Sequence, residues 1–269
     1  MIEKMQGPRH AVSSVPAGHR YYRLVIVEVR KMLDYRAARW VSVATVAYAS
    51  VAVAIALALA LLTSKVPDSP QVSAQMVVNA GMSGLRALLP VLVILSATAE
   101  WSQRLGIHTF ALEPRRARVF LGKVCATGVV ASAAGVGVSG LAYVSTVLFA
   151  WALNIKTSLH LDPLILLGGI GILVAWCWIA LGIGVLTLNT PFALIVFYLL
   201  PTLVSTIAFV PSERVANLAG WVDFNRVVAP ILEGGWSSLS PSRMLVSSCI
   251  WILVPLGLGM LLLRRREIE

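Results

Sequence analysis

Residues 41–62 read VSVATVAYASVAVAIALALALL, 22 residues without a charged side chain. At 1.5 Å per residue a helix of that length measures about 33 Å, enough to cross the ~30 Å hydrocarbon layer of a bilayer. Trp40 stands at its front edge, where an amphipathic ring suits the membrane–water interface. The stretch is apolar on every side, so it does not read as the surface helix of a soluble domain. The rest of the chain agrees: 58% of its 269 residues are hydrophobic and 13% are charged, against ~45–50% and ~25% in a typical soluble domain. This composition excludes an ordinary soluble enzyme, a disordered protein and a fibre.

Working outward, five further apolar stretches are expected to span, at about 80–99, 124–151, 163–188, 191–209 and 244–263. Pro191 suits the first turn of the fifth, and Pro201 interrupts its middle. The expected fold is an all-α polytopic membrane protein with six transmembrane helices, forming one domain over 21–269. Residues 1–20 are polar and read as a disordered cytoplasmic tail. The centres of the six spans carry no ionisable group in this reading, with Arg86, Glu100 and Asp162 at span ends.

Between tail and first span, residues 21–36 have helical periodicity. Tyr22, Val25, Ile26, Val29, Met32 and Leu33 form an apolar face, opposed by Arg23, Arg30, Lys31 and Asp34, with Glu28 and Arg36 at the margins. Such a helix suits the membrane surface, its cations near lipid phosphates. Small residues recur in the third span (Ala131, Gly135, Ser139) and the fourth (Gly168, Gly169, Gly171, Gly182, Gly184), which favours close helix packing over a translocation path. Cys125, Cys177 and Cys249 are far apart and read as small buried apolar residues.

The net charge of +10 is a topology signal. Of the 22 Lys and Arg, 16 fall before residue 40, in 101–123 or after 263, all on one side of a six-span chain. The positive-inside rule puts both termini and the 101–123 loop in the cytoplasm. A multi-pass protein of the plasma membrane is expected. No extramembrane stretch is long enough for a nucleic-acid-binding domain.

No GxxxxGK[ST] loop, HExxH, GxSxG or paired-carboxylate pattern occurs, and His10, His19, His108 and His160 do not cluster by this topology. No catalytic, metal or cofactor residue is therefore assigned.

The most informative segment follows the second span. It reads Glu100-Trp101-Ser102-Gln103-Arg104, then Thr109-Phe110-Ala111-Leu112-Glu113-Pro114-Arg115-Arg116, then Gly122-Lys123. With the preceding amphipathic helix and the long connection before the sixth span, the chain over 21–267 resembles the membrane subunits of type-2 ABC exporters, in wording closest to actinobacterial members. It departs from them where the usual Gly-Thr turn becomes Gly106-Ile107-His108-Thr109. The resemblance implies a permease subunit whose 103–118 loop carries a coupling helix docking on a separate ATPase subunit. Phe110 and Leu112 would be apolar anchors, Arg104, Glu113, Arg115 and Arg116 rim charges, Thr109 part of the turn, and Pro114 the end of a helical turn. Tyr22, Arg23, Val29, Arg30 and Lys31 would belong to an elbow helix. It implies two ATPase copies holding ATP and Mg, a second permease copy or a related one, and membrane lipids as partners. The connection over 211–243, with Val222, Phe224, Val227, Val228, Ile231 and Leu232 between Trp221 and Trp236, would supply short re-entrant helices at the exit, against the alternative of an amphipathic loop on the membrane.

Two other functions are weighed: a non-transporting immunity or binding subunit of a similar complex, and an intramembrane enzyme, which would need a cluster of reactive side chains. For the orientation, cysteines placed at Ser69 and Ser238 are expected to react with an impermeant thiol reagent outside the cell, and one at Ser102 only after permeabilisation. Outside labelling at Ser102 would reverse the topology.

Overall fold

The structure, a computed structural model, describes residues 17–34, 36–63, 73–102, 116–154, 157–207 and 212–265. Among these there is no strand, only an isolated bridge between Ser73 and Ser158. The protein is an all-α polytopic chain with six helices long and apolar enough to cross a membrane.

The amphipathic stretch forms α1 (Ala17–Asp34), and the 41–62 stretch lies within α2 (Arg36–Thr63). The next spans are α3 (Ala74–Ser102), α4 (Arg116–Leu153), α5 (Pro163–Thr187) and α6 (Thr190–Ile207). Two short helices follow, α7 (Glu213–Val222) and α8 (Phe224–Glu233). The last span comprises α9 (Pro241–Ser248), a π-helical segment (Cys249–Leu253) and α10 (Val254–Arg265).

Local chemistry sets several ends. Asp162 caps α5 by accepting from the N–H groups of Leu164 (2.8 Å) and Ile165 (3.4 Å), with Pro163 at the first helical position. Leu188 ends α5 in the left-handed region at φ 49°, and Asn189 caps α6 through Phe192 N–H at 3.1 Å. Gly234, at φ +73°, ends α8 where a side chain would be strained.

Besides the third span, which begins at Arg116 and not near 124, two expected boundaries move. The second span starts at Ala74, not near 80, because Gln75 and Asn79 are helical and paired. Helix α1 starts at Ala17, so 17–20, read as tail, belong to its backbone, while 1–16 lie outside the described residues. The first correction overturns the reading of charge-free span centres: Arg86 lies near the middle of α3, about 18 Å along the axis from Ala74 and 20 Å from Ala99.

Helix α3 is the most enclosed span, packed between α2, α4 and α5. A Cβ on Gly84 would meet the Ala49 backbone at 2.9 Å, so α2 and α3 touch main chain to main chain. A Cβ on Gly182 would lie 2.7 Å from Pro255 Cβ and 3.0 Å from the Pro255 carbonyl carbon, where α5 meets α10. Gly171 has open space within 4 Å. The small residues of α5 are thus partly for packing within the chain and partly outward-facing. Gly182→Ala should destabilise by about 1–3 kcal/mol through overpacking, read as a lower melting temperature in detergent. Gly171→Ala should leave it unchanged or raise it.

Candidate functional site

Helix α1 meets the bundle at the first turns of α4. Val25 and Val29 pack against the core and Met32 is buried, and Glu28 stands in the same i, i+3, i+4, i+7 stripe, 1% exposed. Its carboxylate accepts from Lys31 Nζ at 2.8 Å and lies 3.7 Å from Lys123 Nζ. Lys123 is itself buried. A carboxylate this enclosed needs such partners, since an unpaired buried charge costs several kcal/mol.

Two further contacts close the seam. A Cβ on Gly122 would lie 3.0 Å from Leu24 Cδ2, so α1 rides tightly over α4. The Tyr21 hydroxyl and the Cys125 thiol are 3.3 Å apart. That hydrogen bond, helped by burial, pushes the Tyr21 phenol up to about 12. Glu28 is the functional residue that sequence reasoning set at the margin. Its signal was an acid inside an apolar helical stripe, followed by a lysine opening a later span.

Of the expected elbow residues, Val29 packs inward and Lys31 joins the ion pair, while Arg23 and Arg30 are exposed. Tyr22 is 66% exposed, and the stripe that packs on the bundle is turned toward Glu28. Cys125 is exposed and Cys249 partly so, leaving only Cys177 as a fully buried thiol. Arg104, Thr109, Phe110, Leu112, Glu113, Pro114 and Arg115 lie outside the described residues; Arg116 opens the α4 backbone.

A second polar locus lies deeper. Helices α7 and α8 form a hairpin whose tip, Val222-Asp223-Phe224, runs alongside the middle of the neighbouring spans. Phe224 packs edge-on against Trp176 of α5 (5.5 Å between ring centroids), and Trp176 packs edge-on against Phe197 of α6 (5.6 Å). At the other end of α8, Ile231 sits against Gly168, near the start of α5. Buried Asp223 caps α8 through Arg226 N–H at 3.3 Å. The Val222 carbonyl accepts from the Trp251 indole at 2.6 Å and the Ser247 hydroxyl at 3.4 Å. Arg243 lies 5.8 Å over the Trp221 ring.

A ladder on α3 holds the wide end of this hairpin. Gln75 accepts from Asp162 N–H (3.2 Å) and donates to Asn79 (3.2 Å), and Asn79 donates to the Leu232 carbonyl (3.5 Å). Arg86 continues the same helical face inward but has no hydrogen bond or ion pair with any described residue, and its Nη1 is buried. Elsewhere, an apolar groove of about 500 Å³ lies between α2, α3 and α4. Three of its four hydroxyls are turned back onto their own helices, Thr45 to Val41, Ser50 to Val46 and Ser145 to Leu141, with Ser42 the fourth, so it offers mainly hydrocarbon contact. Among the described residues no three His, Cys, Asp or Glu come together as metal ligands.

Compared with models of known protein families and with curated proteins, the sequence matches none.

Removing one member of the buried ion pair should be costly. Glu28→Ala, which leaves Lys123 enclosed, is expected to lose about 3–5 kcal/mol, measured by thermal unfolding in detergent. Glu28→Lys combined with Lys123→Glu should recover part of the loss relative to either single change.

Proposed function

We propose that this chain is the membrane-spanning subunit of an ATP-driven exporter, paired with a second copy or a related permease and powered by two copies of a separate ATPase. The reading rests on the wording of 100–123. It is supported by one structural observation, the stiff connection that leaves this segment. Helix α4 runs 38 residues from Arg116, about 57 Å, whereas a crossing needs only about 20 residues. Its first turns extend beyond what the bilayer requires and are the turns that α1 grips.

In this reading the 103–115 loop faces the cytoplasm of a plasma-membrane protein, both termini on that side. The ATPase binds there, with Phe110 and Leu112 seated in a groove and Arg104, Glu113, Arg115 and Arg116 around it. Closure of the ATPase dimer on ATP-Mg displaces the loop. Helix α4 carries that displacement into the bundle, and α1 moves with it because Glu28 binds Lys123. A rigid helix pair transmits such a shift better than a flexible linker, since packed elements move as bodies. At the far side, the α7–α8 hairpin is held by its tip bonds, by the Gln75–Asn79 ladder and by the packing of Phe224, Val228 and Ile231 in the core, so it moves with the spans it packs on.

Phe110→Asp with Glu113→Arg should abolish co-purification with the ATPase subunit and ATP-dependent efflux, while leaving the melting temperature of this chain unchanged. Association and flux that survive the double substitution would refute the docking assignment. Intact association with no flux from reconstituted vesicles would favour an immunity or binding subunit.

A further inference from the structure

We propose that Arg86 is the anion-recognising residue of a binding site at mid-membrane depth, whose ligand is an amphiphile carrying a carboxylate or phosphate. Its depth is the first observation. Arg86 lies near the centre of a span that runs from Ala74 to Ala99. A guanidinium there is costly, and such residues face a bundle interior or a wet cavity and find a counter-charge.

The second observation is that this counter-charge is missing from the described chain. Arg86 makes no ion pair or hydrogen bond with any described residue, although its Nη1 is enclosed. The polar groups that share its helix face are already engaged. Gln75 is bonded to Asp162 and Asn79, and Asn79 reaches Leu232. The buried acid at comparable depth, Asp223, caps α8 and makes no ion pair with Arg86.

The third observation is access. Arg86 is partly exposed. Tyr198 of α6 donates its hydroxyl to the carbonyl of Ala87, the next residue along α3, and is 43% exposed. Ser83, one turn from Arg86, is exposed with its hydroxyl turned back to Ala80. Partial exposure leaves Arg86 within reach of a ligand from outside the chain, and its planar fork fits a carboxylate or phosphate in two-point contact. A ligand arriving through hydrocarbon needs an apolar body, which makes it an amphiphile and disfavours a small free anion.

As a statement about binding this is independent of transport. As a statement about the exported substrate it rests on the permease reading, and it narrows that substrate to acidic amphiphiles.

The test uses the full chain in nanodiscs of zwitterionic phosphatidylcholine and an environment-sensitive probe, dansyl-undecanoic acid, with its methyl ester as the uncharged twin. The acid should bind about tenfold or more tighter than the ester, the effect of one charge-assisted contact in a poorly solvated site. Arg86→Gln should bring the ratio to about one, and Arg86→Lys should retain part of it. Equal binding of acid and ester by the unaltered chain would overturn the proposal without recourse to any variant. So would a ratio that persists in a folded Arg86→Gln chain. Repeating the titration in nanodiscs containing phosphatidylglycerol identifies the source: loss of probe binding marks a bilayer phosphate as the resident anion, and retained binding marks a ligand other than bulk lipid. Binding that passes these tests alongside failed ATPase association would sink the exporter reading and leave the site standing.

Discussion

One buried carboxylate holds the arrangement together. Glu28 is almost fully enclosed between α1 and α4, with an ammonium on each side, Lys31 on its own helix and Lys123 on the other. Apolar contact alone would let α1 slide, because Val25, Val29 and Met32 pack without direction. A charge pair in a dry seam has a preferred geometry and a steep penalty for being parted. The seam becomes a fixed joint at the first turns of α4, which begins at Arg116. Everything proposed about force reaching the membrane depends on that joint.

The half of the bundle that holds the α7–α8 hairpin is organised by a different constraint, the need to satisfy backbone groups away from water. The hairpin tip presents helix-end carbonyls at the depth of Trp176 and Phe197. A free carbonyl at that depth is costly. The sixth span answers with its π-helical segment, where the Val254 N–H reaches back five residues to Cys249. The wider turn lies just before Pro255, which lacks an N–H. Trp251, within that segment, bonds Val222. Among the described residues, Arg86 shares the lack of a bonded partner with the buried hydroxyls of Thr127, Ser139, Thr157 and Ser205, and it is the one of them that carries a charge.

Much of the fold was legible because length and hydropathy are cumulative signals. Six apolar runs, an amphipathic stretch and a long connection were each long enough to read. What escaped were single residues whose meaning depends on a neighbour in space. Gln75 and Asn79 look like loop residues until their partners on α5 and α8 are known, and treating them so shortened the second span and moved Arg86 to its end. Glu28 looked marginal on a helical wheel because the wheel does not show Lys123. Cys125 counted as buried by its apolar context, although its side of α4 is open toward Tyr21. The docking residues proposed within 103–115 are legible only by their wording, which resembles that of exporter membrane subunits.

The measurement closest to the central claim is amide hydrogen exchange of the full chain in nanodiscs, with Glu28 intact and as Glu28→Gln. A locked α1 requires that the amides of 24–32 exchange as slowly as those in the first turns of α4, and that Glu28→Gln releases them while α3 and α5 stay protected. Rapid exchange of α1 in the unaltered chain, or protection that Glu28→Gln leaves untouched, would contradict the joint and the force path built on it.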